Sequence, residues 1–154
     1  MKENDFVGKP VVSMSDGAKI GKVRDMVFKG LDLTSLVVNG ERGEGLLPIG
    51  LIGTNGPDAI TIESYTVVDW NAGRLQDPDS RNTHDLRKLS VVDADGNMLG
   101  KMHELTMNAK GRVEDITVRT EGVFGIGAHE TLVAASRVRA IGSDMITVEK
   151  APKH

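Results

Sequence analysis

Asp58-Ala59-Ile60-Thr61-Ile62-Glu63 returns as Asp144-Met145-Ile146-Thr147-Val148-Glu149, and Ser15-Asp16-Gly17-Ala18-Lys19-Ile20-Gly21-Lys22 returns as Ala94-Asp95-Gly96-Asn97-Met98-Leu99-Gly100-Lys101. The blocks keep their order and similar spacing, which makes the chain a duplicated unit. At an offset of 79 positions, Val12 falls on Val91, Asp16 on Asp95 and Gly21 on Gly100. One inserted residue brings Leu36 and Val38 onto Ile116 and Val118; six more bring Leu47, Ile52, Ile60 and Ile62 onto Val133, Val138, Ile146 and Val148. The insertions fall between apolar blocks, where loops belong.

The apolar blocks are short, rich in Val, Ile, Leu and Thr, and bounded by Gly, Asp and Asn, as strands are. Asp16-Gly17 and Asp95-Gly96 are hairpin turns, because a tight turn needs a positive φ that Gly adopts without a Cβ clash. After each turn, Ile20, Val23, Met26 and Phe28 are matched by Leu99, Met102, Leu105 and Met107. That spacing fits either a helix or a long strand with a bulge at Gly21 and Gly100. The strand is preferred, since the turn needs a strand beside it. Ala59–Glu63 and Met145–Glu149 alternate as half-buried strands. Short helical turns are expected before them, at Leu51–Gly53 and Arg137–Ile141. Five or six such strands in roughly 60 residues suggest a small barrel. The expected fold is all-β, with barrels at 1–69 and 87–150 joined by a polar linker at 70–86. Trp70 opens that linker and could anchor it against a barrel.

Each copy is near the lower size limit for independent folding, so the copies are expected to pack on each other as a pseudo-dimer or on further copies. The chain has no cysteine and a net charge of −3. Disulfides and thiolate metal sites are excluded. Residues 1–70 carry 7 basic and 10 acidic side chains, and the remainder carries 12 of each. Neither half has the basic excess of a phosphate-backbone binder, and aromatic residues are too scarce for stacking single-stranded nucleic acid. No apolar run approaches the roughly 20 residues of a membrane span, and the first residues have no apolar signal core. A cytoplasmic protein is expected, associated with membrane at most through a partner.

Asp93, Asp95, Asn97 and Glu104 stand at ligand positions of a calcium loop, but Met98 occupies the position that needs glycine. The matching stretch of the first copy has Met14, Asp16 and Ala18. The copies share the turn and not the ligands. His84, His103, His129 and His154 are not at metal-ligand spacing. Asp25 and Glu104 keep an acid at one position in both copies. With no second acid or base beside them, they read as surface charge or as acceptors for backbone donors freed by a bulge. Gly122-Val123-Phe124-Gly125-Ile126-Gly127 lacks the Lys-Ser/Thr ending of a phosphate loop. Its Val123, Phe124 and Ile126 either dock a partner or fold back over the barrel. With Trp70 they are the candidate partner contacts. No cofactor, metal or catalytic residue is indicated.

Three features resemble the PRC-barrel family. They are the Asp-Gly turn followed by Ile/Leu-Gly-Lys with an acid four residues after that Gly, the Phe124-Gly125-Ile126-Gly127 loop leading to Thr131-Leu132-Val133-Ala134, and the Asp-x-Ile-Thr-Val/Ile ending. The resemblance covers 10–64 and 87–150. It implies small all-β barrels that contact proteins and do not catalyse, as in the cytoplasmic part of the reaction-centre H subunit and the C-terminal domain of a ribosome maturation factor. The roles it implies are an adaptor, a peripheral subunit or assembly factor of a photosynthetic or electron-transfer complex, or a ribosome-maturation factor.

Overall fold

The computed structural model describes residues 1–41, 43–70, 79–120 and 129–150. The chain forms two units, Lys2–Thr83 and His84–His154, the latter also taking in Met1. In the first unit β1 (Pro10–Ser13), β2 (Lys19–Lys29), β3 (Asp32–Gly40) and β4 (Gly43–Pro48) form an antiparallel meander. A 3-10 turn at Ile49–Leu51 leads into the hairpin of β5 (Ile52–Asn55) and β6 (Ile60–Ile62). β6 then lies parallel to β1, giving the order β4-β3-β2-β1-β6-β5.

A short strand, β7 (Ser80–Asn82), adds to β2, and a one-turn helix, α1 (Thr83–Leu86), follows. The second unit repeats the plan with β8 (Ser90–Asp93), β9 (Met98–Met107), β10 (Val113–Thr120), β11 (His129–Ala134), β12 (Val138–Ile141) and β13 (Met145–Val148). Its order is β11-β10-β9-β8-β13-β12, and β13 lies parallel to β8. The fold is therefore all-β, two tandem barrel-like domains.

Both sheets are curled by bulges at equivalent places. Ile20 and Leu99 are the extra residues opposite β1 and β8. Arg24 and His103 are extra further along the same strands, Thr34 and Glu114 in the partner strands, and Gly53 and Arg139 in the terminal hairpins. Each bulge bends its strand and raises the local twist, which turns a six-stranded ribbon into a barrel wall. The long post-turn segments are thus bulged strands, and this explains why their apolar residues depart from a period of two. The curled faces enclose matched cores. Val11, Val23, Met26, Phe28, Leu36, Val38, Leu47, Ile60 and Ile62 are buried in one; Val91, Met102, Leu105, Met107, Ile116, Val118, Val133, Ile146 and Val148 are buried in the other. Each such side chain gains roughly 1.5–3 kcal/mol by leaving water.

Three sequence expectations are revised in detail. Val91 is equivalent to Val11, not Val12. Val11 pairs with Gly21 and Val91 with Gly100, and both valines are buried. The second turn is one residue shorter: Ser13 N–H donates to the Ala18 carbonyl across four residues, whereas Asp93 N–H donates to that of Asn97 across three. A slip of one residue would have turned the buried valine outward. The 3-10 turns begin two residues before the expected positions, at Ile49–Leu51 and Ala135–Arg137, and the residues after them are strands. Within the stretch expected as linker, Ser80–Asn82 pairs with Lys29–Val27, and the Thr83 hydroxyl donates to the Met26 carbonyl at 3.3 Å. Leu86 is buried as Phe6 is after the matching 3-10 turn Glu3–Asp5. One apolar anchor in a polar stretch gives no periodicity to read.

Gly100 has φ +134, and a Cβ there would collide with the Arg119 carbonyl oxygen. We expect Gly100→Ala to cost about 2–3 kcal/mol in urea unfolding. Gly50→Ala, with nothing within 4 Å of the added carbon, should stay within about 0.5 kcal/mol.

Candidate functional site

The hairpin turns are held by carboxylates. Gly17 and Gly96 take φ +72 and +81, as the turns require. Asp16 Oδ1 accepts the Ala18 N–H at 3.1 Å. In the second copy the sequence match points to Asp95, but the carboxylate that closes the turn is Asp93. Its Oδ1 accepts from Asp95 N at 3.0 Å and Asn97 N at 2.9 Å, and its Oδ2 from Asn97 Nδ2 at 3.2 Å. Asp95 instead pairs with Lys150 at 3.0 Å. The calcium-like spacing is therefore an Asx turn in which the first acid binds its own backbone. Asp-x-Asp-Gly-Asn already carries that signal. Among the described residues no group of three or more His, Asp or Glu could hold a metal ion.

Gly21 and Gly100 allow strands to close beside the bulges. A Cβ on Gly21 would collide with the Asn39 carbonyl oxygen, as one on Gly100 would with that of Arg119. Asp25 is buried, and its Oδ1 accepts the Met26 N–H at 2.8 Å, directly after the bulge residue Arg24. Arg24 in turn pairs with Glu44 at 2.9 Å, and the equivalent His103 stands 3.7 Å from Glu130. The acid that recurs in sequence is thus, in the first copy, a backbone acceptor.

Trp70 is half-buried on the first barrel. Asp69 and Leu46 exchange backbone hydrogen bonds of 2.8 and 3.0 Å, which carries the chain along the outer edge of β4. The indole then lies over Gly40 and Gly45. Added Cβ atoms there would stand 2.9 Å and 2.8 Å from the ring. Tyr65 stacks on it at 5.9 Å and 21°. The Nε1–H is buried with no acceptor among the described residues. Asp16, Lys19, Glu41, Tyr65 and Trp70 line a groove of about 440 Å³. An aromatic wall with an unfilled donor and charged groups at its rim can hold a polar or partly aromatic side chain of a partner.

Val123, Phe124 and Ile126 lie outside the described residues; β10 ends before them at Thr120 and β11 begins after them at His129. The equivalent connection in the first copy, between Gly40 and Gly43, has two residues.

Trp70 is the chain's one tryptophan and so reports on its own packing. Gly45→Ala should expel the ring, shift its emission to the red and lower the melting temperature. Gly50→Ala should do neither.

Hydrogen bonds from Asn97, first its backbone N–H, hold the Asp93 carboxyl below its ordinary pKa, and the Ser13 hydroxyl and Ala18 N–H do the same for Asp16. A carboxyl depressed in the folded state stabilises it above the ordinary value and loses that contribution as pH falls through the lower folded one. Acid unfolding of Asp93→Ala should therefore differ from wild type above about pH 4 and converge with it below. An NMR titration of the Asp93 carboxyl should show the depressed midpoint directly.

Among the described residues no helix is long and apolar enough to cross a membrane. A family model, that of the PRC-barrel domain, matches residues 1–68 and 78–154. No curated protein matches the chain.

Proposed function

The chain belongs to the PRC-barrel domain family, and from that premise we propose that it is a non-catalytic adaptor whose two barrels present different contact surfaces. PRC-barrel domains are known in protein-interaction and assembly roles. The observation that carries the reading is divergence at one place on a repeated frame. Core positions and four bulges recur in both copies, while the connection after the third strand does not. It is two residues between Gly40 and Gly43, and it is eight residues, with Val123, Phe124 and Ile126, between Thr120 and His129. We take the added residues as a contact surface carried on a repeated frame, in the way recognition loops are carried on rigid scaffolds.

The second surface is the Trp70–Tyr65 groove of the first barrel. Gly40 and Gly45 make room for the indole there, and Thr120 and Thr131 stand at the equivalent positions of the second barrel. Two unlike surfaces on one chain suit a protein that bridges two partners, or two parts of one. The compartment we propose is the cytoplasm.

Phe124→Asp should weaken capture of a cross-linked partner from native cells by tenfold or more, with an unchanged melting temperature. Equal losses of binding and stability would assign Phe124 to the core instead. Co-purification with a membrane complex or with a pre-ribosomal particle would name the process.

A further inference from the structure

In the second barrel, Ser90, Lys101, Arg119 and Glu130 stand in one register across β8, β9, β10 and β11. Residues opposite one another in a sheet share a face, so the two cations are direct neighbours. Like charges placed this way destabilise a sheet. Glu130 does not offset them through an ion pair: its carboxylate stands 3.7 Å from His103, and neither Lys101 nor Arg119 has an ion-pair partner among the described residues. Arg87 adds a third cation, its Nε–H donating to the His103 carbonyl at 3.3 Å. Arg87, Lys101, His103 and Arg119 line a groove of about 650 Å³, with Met98, 57% exposed, at its wall.

The first barrel is the internal control. By the same strand pairing, Pro10, Lys22 and Asn39 occupy the positions of Ser90, Lys101 and Arg119. Val7 precedes Pro10 by the same interval as Arg87 precedes Ser90. Lys19 and Arg24 stand where Met98 and His103 line the groove, so the first barrel has cations of its own, Lys19, Lys22 and Arg24, the last paired with Glu44. What the second barrel adds is Arg87 and an Arg119 directly opposite Lys101. The fold does not need that adjacent pair, since Asn39 faces Lys22 at the same place in the first barrel.

We propose that this groove binds an acidic segment of a partner protein, its carboxylates bridging Lys101 and Arg119 and an apolar side chain resting on Met98. This deepens the adaptor reading and rests on it. Carboxylates fit because a fork-shaped guanidinium beside an ammonium takes both oxygens of one group. The exposed thioether adds an adaptable apolar contact that phosphate chemistry would not use.

The test uses the full chain and a fluorescein-labelled peptide of alternating glutamate and leucine, followed by anisotropy at about 50 mM salt. The expected result is binding that weakens about tenfold when glutamine replaces glutamate in the peptide, and about tenfold for Lys101→Gln or Arg119→Gln. Lys22→Gln, in the first barrel, should leave it unchanged. Lys101→Gln should melt at or above wild type, because the like-charge contact is gone while Arg119 keeps Glu130 opposite it. The proposal is overturned if the glutamine peptide binds equally well, if Lys22→Gln loses as much as Lys101→Gln, or if inorganic phosphate or an oligonucleotide displaces the peptide below the peptide's own concentration. A native partner retained by the Lys101→Gln/Arg119→Gln variant yet lost from Phe124→Asp would also remove the groove, while leaving the adaptor reading in place.

Discussion

The structure depends on the contact of a bare glycine Cα with a facing carbonyl. At Gly21 and Gly100 the second strand passes so close to the third that no Cβ fits between them. The extra residue before each glycine kinks the strand at that point, and the absence of a side chain lets the kinked strand stay in the ladder. Without this contact the second strand could not pair with the first on one side and the third on the other while bending between them. The remaining bulges distribute the curvature that this one begins. The core follows, because curling is what brings Val11, Leu36 and Ile60 of one copy, and Val91, Ile116 and Ile146 of the other, to an enclosed face.

Much of this frame was legible in the sequence for a plain reason. Duplication shows the same constraint twice, so glycine after an Asp-Gly turn stands out as a requirement in place of a coincidence. The apolar period alone left helix and bulged strand open over residues 19–29; the turn decided between them, because a hairpin needs two strands. The register was less legible. Val11-Val12 and Val91-Val92 are indistinguishable as letters, and only burial and the lengths of the two turns show which valine faces inward. The short elements at Ser80–Leu86 were hidden for a related reason. The partners of Ser80–Thr83 are distant residues of β2, and such contacts leave no local periodicity.

The candidate surfaces were legible in part. Trp70 stood out by rarity, but Gly40 and Gly45 as its seat did not, since they lie far from it in sequence and meet it only because Asp69 joins the edge of β4. Asp93 was visible as an acid at a ligand-like position, and its hydrogen bonds show that it serves the backbone. The pairing of Lys101 with Arg119 could not be read from composition, because the second half of the chain balances its charges and only the strand register brings these two cations together.

In each barrel the first strand lies parallel to the last: β1 with β6, β8 with β13. The wall therefore has a missing stave until the last strand has been made. On a ribosome, β1–β4 would emerge as an antiparallel ribbon with one side of β1 unpaired, an edge that could recruit any other extended chain. That edge is covered only once Ile60–Ile62 arrives, and in the second barrel only once Met145–Val148 does. Closure joins residues about fifty apart, the kind of nonlocal step that sets slow folding in small β proteins. The first barrel can be sealed before the second has begun to close, so the duplicated chain need never expose both open edges together.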